Sequence, residues 1–327
     1  MTSGFDPSQP RRFGPRGPWV TRLGLGCAPL GNLFSAVSDA DARATVDAAW
    51  QAGIRFFDTA PLYGHGLSER RLGDALRGRP RDEFVVASKV GRLLVPTGAT
   101  PESIFVDVPS LEPVFDFSRD AALRSIEASL ERMALDRLDI VHVHDPDDHA
   151  AEALAGAFPA LCALRDQGVI GAVGCGMNQV GLLRRFVDEV DLDGVLLAGR
   201  YTLLDRAGAD DLLPVCHERG IAVVLGGVFN SGILADPDQA PTFDYRPADA
   251  ALVERARAMR EVCVRRGTTL PAAALQFALR HDAVTSVIVG ARSADEVLTD
   301  AGWVAEGLPE GVWDELDALY TSGAVPH

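Results

Sequence analysis

The chain has 327 residues, 47% hydrophobic and 24% charged, a composition that suits a folded globular protein and excludes a disordered one. It carries 31 Lys and Arg against 46 Asp and Glu, a formal charge of −15 at pH 7, so its surface repels phosphate backbones and argues against a nucleic-acid partner. No apolar run approaches the ~20 residues of a membrane helix, which argues against a membrane-embedded chain.

Five scattered cysteines (Cys27, Cys162, Cys175, Cys216 and Cys263) form no CxxC pair. They suit buried thiols in a reducing cytoplasm rather than a disulfide frame or a zinc site. Residues 1–18 contain Arg11 and Arg12, but no hydrophobic segment follows them; they read as a polar N-terminal extension rather than an export signal.

From there the pattern alternates. A first strand falls at residues 23–26, and a helix at 38–53 is opened by Ser38 and stopped by Gly53. A strand at 54–57, a helix at 68–77, a strand at 84–88, a helix at 118–133 and a strand at 139–143 follow. Next come helix 150–167, strand 171–175, helix 179–190, strand 194–198, helix 210–219 and strand 221–225. Helices near 247–266 and 272–280 precede the last strand, 285–289; helix 293–303 and a tail helix at 310–320 close the chain.

Strands apolar on both faces imply a parallel sheet covered by helices. Eight strand–helix cycles in about 300 residues favour a single α/β domain, the (β/α)8 TIM barrel, over an open sheet. The exception to the regular spacing is the Pro-rich insertion 91–117, a long loop after the third strand that is expected to act as a lid.

Active sites of parallel barrels lie at the carboxyl ends of the strands. Asp58 ends strand two, Tyr63 sits just beyond it, Lys89 ends strand three and His144 ends strand four. A phenol has an ordinary pKa of about 10, and a nearby ammonium favours its phenolate. Asp58 would hold Lys89 in an ion pair, and His144 would orient a substrate oxygen. The run HVHDPDDH, His142 to His149, also invites a metal reading. His142 and His144 share one strand face, but the acids that follow sit in a turn with Pro146, so no metal is expected.

The segment DTAPLYGHGLSERRLGDAL, from Asp58 to Leu76, closely resembles the aldo-keto reductase family. The resemblance extends from LGLGCAPLG at Leu23 through HDPD at His144 to VGARSADEV at Val289. It implies a barrel that binds a nicotinamide cofactor without a Rossmann glycine loop and moves a hydride to or from a carbonyl or alcohol carbon. It places the family's catalytic aspartate, tyrosine, lysine and histidine on Asp58, Tyr63, Lys89 and His144.

The resemblance also implies the cofactor contacts. In GCGMNQ, Asn178 is the candidate for the carboxamide, and Gly176 replaces a usual serine. In GGVFNSGIL, the backbone of Gly227, Val228, Phe229, Asn230, Ser231, Gly232 and Leu234 would approach the pyrophosphate. Gly226 stands where many members carry a stacking aromatic. At the adenosine end lie Gly290, Arg292, Ser293, Glu296 and Asp300. The two carboxylates suit a ribose hydroxyl and repel a 2′-phosphate, so NAD is preferred over NADP, although Arg292 argues the other way.

HDPDD after strand four, the GGVFNSGIL loop and the insertion beginning GRLL resemble the family's sugar dehydrogenase branch. That branch holds enzymes of the D-threo-aldose 1-dehydrogenase and L-fucose dehydrogenase kind, with pyridoxal 4-dehydrogenase similar. Their substrates share a cyclic hemiacetal, so the expected reaction is oxidation of a ring hemiacetal carbon to a lactone. Rival readings are an NADPH-dependent aldehyde or ketone reductase, a non-enzymatic cofactor-sensing subunit and a metal-dependent barrel hydrolase. A monomer or a homodimer is expected.

Overall fold

The computed structural model describes residues 3–99, 102–239 and 241–321. The chain enters through an antiparallel hairpin of β1 (Pro10–Arg12) and β2 (Trp19–Thr21). There follow β3 (Leu23–Gly26), α1 (Asp39–Gln51), β4 (Phe56–Asp58), α2 (Leu67–Leu76) and β5 (Val85–Val90). A second hairpin, β6 (Arg92–Pro96) with β7 (Leu111–Phe115), precedes α3 (Arg119–Met133) and β8 (Ile140–His144). Then come α4 (Ala150–Ala155), α5 (Ala157–Asp166), β9 (Ala172–Met177), α6 (Val180–Glu189), β10 (Gly194–Ala198), α7 (Leu212–Arg219) and β11 (Ala222–Gly226). A short hairpin of β12 (Thr242–Phe243) and β13 (Arg246–Pro247), then α8 (Ala250–Arg266), α9 (Leu270–Leu279), β14 (Val284–Gly290), α10 (Ala294–Ala305) and α11 (Val312–Thr321) complete the order.

Strands β3, β4, β5, β8, β9, β10, β11 and β14 pair in that order, all parallel, and close into a barrel. The (β/α)8 expectation is therefore met. Helix starts follow the capping residues: Ser38 accepts from the Asp41 N–H at 3.0 Å and Ser118 from the Ala121 N–H at 3.2 Å. Each satisfies an N–H that a helix start leaves unpaired. Among the described residues no helix is long and apolar enough to cross a membrane.

Three segments differ from expectation. The helix expected at 150–167 is broken at Gly156 into α4 and α5. Residues 91–117 are not a bare loop: β6 and β7 pair as a hairpin, and Leu33 bridges to Phe105; residues 100 and 101 lie outside the described residues. Nor are residues 3–18 a polar appendage, and residues 1 and 2 lie outside the described part. The Phe5 N–H bonds the Val304 carbonyl at 2.9 Å, and Arg16 pairs with Asp191 and Asp193. Phe13 is wholly buried in the barrel interior with Val20, Phe56, Ile140 and Val224. It lies against Gly194, where a Cβ would stand 2.3 Å from its ring. A single apolar residue among Arg, Pro and Gly gave no periodicity from which to read this plug.

Candidate active site

Three strand ends and one turn meet at the carboxyl rim of the barrel. The fully buried strand β5 carries Lys89 inward, and β4 ends at Asp58; the two side chains are only 2% and 1% exposed. Lys89 Nζ donates to Asp58 Oδ1 at 2.6 Å, to the Thr59 carbonyl at 2.9 Å and to the Tyr63 hydroxyl at 3.2 Å. All three ammonium donors are thus used. Tyr63 is aimed by its turn, where Gly64 (φ +61°) approaches Gly31 so closely that a Cβ would stand 2.4 Å from the Gly31 carbonyl oxygen. The half-buried Tyr63 ring meets the His144 ring edge-on, with centroids 6.0 Å apart at 89°.

The electrostatics correct one expectation. Burial pushes the Tyr63 phenol up to about 12; Lys89 pulls it down and Asp58 adds to the rise. The ammonium moderates the phenol without lowering it below its ordinary value, because desolvation of the phenolate is the larger effect. Burial alone would lower the Lys89 ammonium, but Asp58 and Tyr63 hold it well above its usual range. Burial raises the Asp58 carboxyl against the pull of Lys89, and its Oδ2 is buried without a partner. Burial, Arg92, Lys89 and His142 together keep His144 far below the ordinary histidine value, so it is a neutral imidazole suited to hydrogen bonding rather than to carrying charge.

The structure brings Asp58, Tyr63, Lys89 and His144 together. Among the described residues no group of three or more His, Cys, Asp or Glu is arranged to hold a metal ion. His142 is fully buried inside the barrel with neither ring nitrogen hydrogen-bonded, while Asp147 and Asp148 are exposed.

Two glycines lie on the neighbouring strands. The nearest atoms to a Cβ at Gly176 would be those of Leu196, His142 and Lys89 at 3.5–3.9 Å, and at Gly226 those of Leu196 and Ile288 at 3.5–3.7 Å, all ordinary contact distances. Both glycines leave room for a planar ring next to Lys89, with the half-buried Asn178 one residue beyond β9. In the next turn the N–H groups of Gly227, Val228 and Phe229 make no hydrogen bond among the described residues. Asn230, Ser231 and Gly232 all adopt positive φ. Free amides in such a turn form a concave cradle for an anion.

The side chains of this turn mostly have other work. Val228 and Leu234 are buried in the core, Phe229 is half-buried, and Asn230 Nδ2 donates to the Gly199 carbonyl at 3.1 Å. Backbone N–H groups are thus open to a ligand at Gly227, Val228 and Phe229, whereas those expected at Asn230, Gly232 and Leu234 already bond to the Gly227 and Phe229 carbonyls.

At the last strand, Gly290 and Arg292 are exposed and Ser293 caps α10. The Glu296 carboxylate does not stand free as expected. It accepts from the Arg292 N–H at 2.8 Å and pairs with the Arg292 guanidinium at 3.4 Å. Asp300 departs further: it is 8% exposed, and burial with the charge of Glu296 pushes its carboxyl up to about 7. The Ser293-x-x-Glu296 spacing is that of a capping box, a signal that could have assigned Glu296 this role.

Sequence reasoning missed two residues. His65 is buried; its Nδ1 donates to the Leu111 carbonyl at 2.7 Å and its Nε2 accepts from the Ser103 hydroxyl at 3.2 Å, tying the β6–β7 segment to the Tyr63 turn. Arg92 pairs with Asp145 beside His144. Both depend on long-range pairing that no local pattern shows.

Residues 22–321 match the Aldo/keto reductase family. The chain is 43% identical over 306 residues to a D-threo-aldose 1-dehydrogenase from Pseudomonas sp, covering 91% of this chain and 93% of that one. It is 40% identical to a pyridoxal 4-dehydrogenase from Microbacterium luteolum, covering 94% and 96%. Among solved structures, the holo form of an aldo-keto reductase from Bacillus halodurans superposes with a TM-score of 0.75 at 25% identity, covering 95% and 96%.

Proposed function

The chain belongs to the aldo/keto reductase family, and from that premise we propose that it oxidises the hemiacetal carbon of a cyclic aldose to a lactone, with NAD as its preferred oxidant. It is an oxidoreductase of the dehydrogenase type. When bound, the nicotinamide supplies the hydride acceptor: the substrate carbon loses a hydride and its hydroxyl loses a proton, leaving a carbonyl in the ring.

The chain's own residues handle the oxygen and the proton. Neutral His144 donates a hydrogen bond to the reacting oxygen and fixes its direction. Tyr63 is the group through which the proton leaves, and Lys89, held by Asp58, stabilises the phenolate that this requires. General-base assistance of this kind contributes roughly 10²–10⁴ in rate, and positioning supplies much of the remainder. The missing side chains at Gly176 and Gly226, Asn178 and the free amides from Gly227 to Phe229 fit a nicotinamide and its pyrophosphate. Glu296 neutralises Arg292, the one arginine of GARS, which favours a cofactor without a 2′-phosphate.

The observation that carries this reading is the Lys89 ammonium bonded at once to Asp58 and Tyr63, with His144 across the same phenol ring. The pyridoxal 4-dehydrogenase relative supports a second substrate, pyridoxal, which also presents a cyclic hemiacetal. Initial rates with NAD and NADP against L-fucose, D-arabinose, L-galactose, pyridoxal and simple aldehydes test the proposal. Lactone formation with NAD is expected. Reduction of simple aldehydes by NADPH at a higher kcat/KM would overturn it, and a tenfold advantage of NADP would overturn the cofactor preference.

A further inference from the structure

Next to His144 stands a charged pair, Arg92 and Asp145, to which the proton-handling scheme assigns no contact with the substrate. Arg92 opens β6 immediately after the Gly91 kink, and its side chain is only 12% exposed. Its guanidinium lies 4.6 Å from the Phe115 ring centroid. Phe115 is itself stacked on His149 at 5.1 Å and on Phe117 at 6.1 Å. This wall of rings holds the guanidinium in place, so little side-chain freedom remains to be lost when it binds something.

Arg92 Nη2 donates to Asp145 Oδ2 at 3.1 Å, while Nη1 is buried with no partner. Asp145 follows His144 directly at φ +43°, and its N–H bonds the Gly176 carbonyl at 3.0 Å. Its Oδ2 lies 3.5 Å from His144 Nε2, and its Oδ1 makes no hydrogen bond among the described residues. A buried donor without a partner, Arg92 Nη1, thus stands beside the Asp145 carboxylate, whose side chain is 37% exposed and so open to a ligand, next to the His144 imidazole. Buried unsatisfied donors in native structures call for an explanation. A hydroxyl both donates and accepts, so hydroxyls on ring carbons next to the reacting one can use the carboxylate and the guanidinium together.

We propose that Arg92 and Asp145 form a clamp for the ring hydroxyls next to the reacting carbon, making the site selective for polyhydroxylated rings. This rests on the hemiacetal reading above. A site built to bond a hydroxyl disfavours the analogue that lacks it, because its own polar groups are then left unpaired.

The test compares wild type with Asp145→Asn, Asp145→Gly and Arg92→Lys. Asn and Gly tolerate the positive φ, and Lys keeps the charge near His144 while losing the fork. Two measurements are made on cofactor-loaded enzyme. One is the ratio of kcat/KM for a six-membered aldose to that for 2-hydroxytetrahydropyran, the same ring hemiacetal without other hydroxyls. The other is calorimetric binding of a 1,5-anhydroalditol, which keeps the ring hydroxyls and has no hemiacetal.

The ratio is expected to fall by about 10–100-fold, mainly through KM, the scale of losing a charged hydrogen bond. Anhydroalditol binding is expected to weaken by a similar factor. Equal losses on both substrates would show a loop latch and overturn the clamp, as would an unchanged ratio or wild-type binding no tighter than that of the variants. If wild type oxidises neither hemiacetal yet binds the anhydroalditol in an Asp145-dependent way, the clamp stands and the dehydrogenase substrate assigned above falls.

Discussion

On the mechanism proposed above, a Tyr63 phenol pushed up to about 12 would decide which direction runs easily at a given pH. In the reducing direction the protonated Tyr63 would be the resting form, ready to give its proton at once. In the oxidising direction the phenolate must form first, so oxidation should quicken as pH rises toward the phenol's pKa, with reduction nearly flat over the same range. Initial rates in both directions between pH 6 and pH 11 check this. Lys89 pulls the phenol down, so Lys89→Met should move the oxidative profile further into alkali. The same change leaves Asp58 buried and unpaired, a loss on the order of 3–5 kcal/mol for a broken buried pair, and a thermal melt measures that separately. Tyr63→Phe should cut turnover by about 10²-fold or more while cofactor affinity, read by fluorescence titration, stays close to wild type.

Among the elements, the barrel strands were legible because burial on both faces leaves an unbroken apolar run, as in FVVAS before Lys89. Helix starts were legible at Ser38 and Ser118, where a cap residue precedes an apolar stripe. The β6–β7 hairpin was not. Its strands carry Pro96 and Pro113, and no residue in them is fully buried, so the short run Leu93–Val95 does not stand out as a strand. The four rim residues could be picked out as strand-end groups, but the high phenol pKa could not, since it arises from burial produced by residues distant in sequence. Tertiary wiring of the same kind makes His65 the peg between the hairpin and the Tyr63 turn. His65→Ala removes two hydrogen bonds, each worth about 0.5–1.5 kcal/mol. It should raise the substrate KM several-fold and speed amide exchange around residues 103–111, with kcat little changed. Unaltered exchange there would remove the peg.

The whole molecule holds ionisable groups in its interior, and these set its response to acid. Burial, with a smaller contribution from Lys89, takes His142 from an ordinary value near 6.5 to about 3. Its folded pKa is depressed, so the unfolded chain binds the proton first. Stability is therefore lost as pH falls below about 6.5, at roughly 1.4 kcal/mol per pH unit. Asp300 has the opposite sign: its folded pKa, about 7, is raised above that of a free carboxyl. Its contribution is fully present below the unfolded value and is lost as pH rises through 7. His142→Leu should thus flatten the fall in urea midpoint between pH 7 and pH 4, and Asp300→Asn should raise the midpoint at pH 8 more than at pH 5.

Part of what buries His142 is a ring from the N-terminal segment. The Phe13 ring lies edge-on to the His142 ring with centroids 6.0 Å apart, and the imidazole sits on the strand beside Lys89. Trimming the leader by proteolysis back to Arg16 would take out one stopper of carbon and let the interior flood from below. Wetting the imidazole would let its one basic nitrogen take a proton closer to neutral pH and place a second positive charge near the ammonium. A clip that touches no reacting atom would then surface as an altered pH–rate curve at the opposite face.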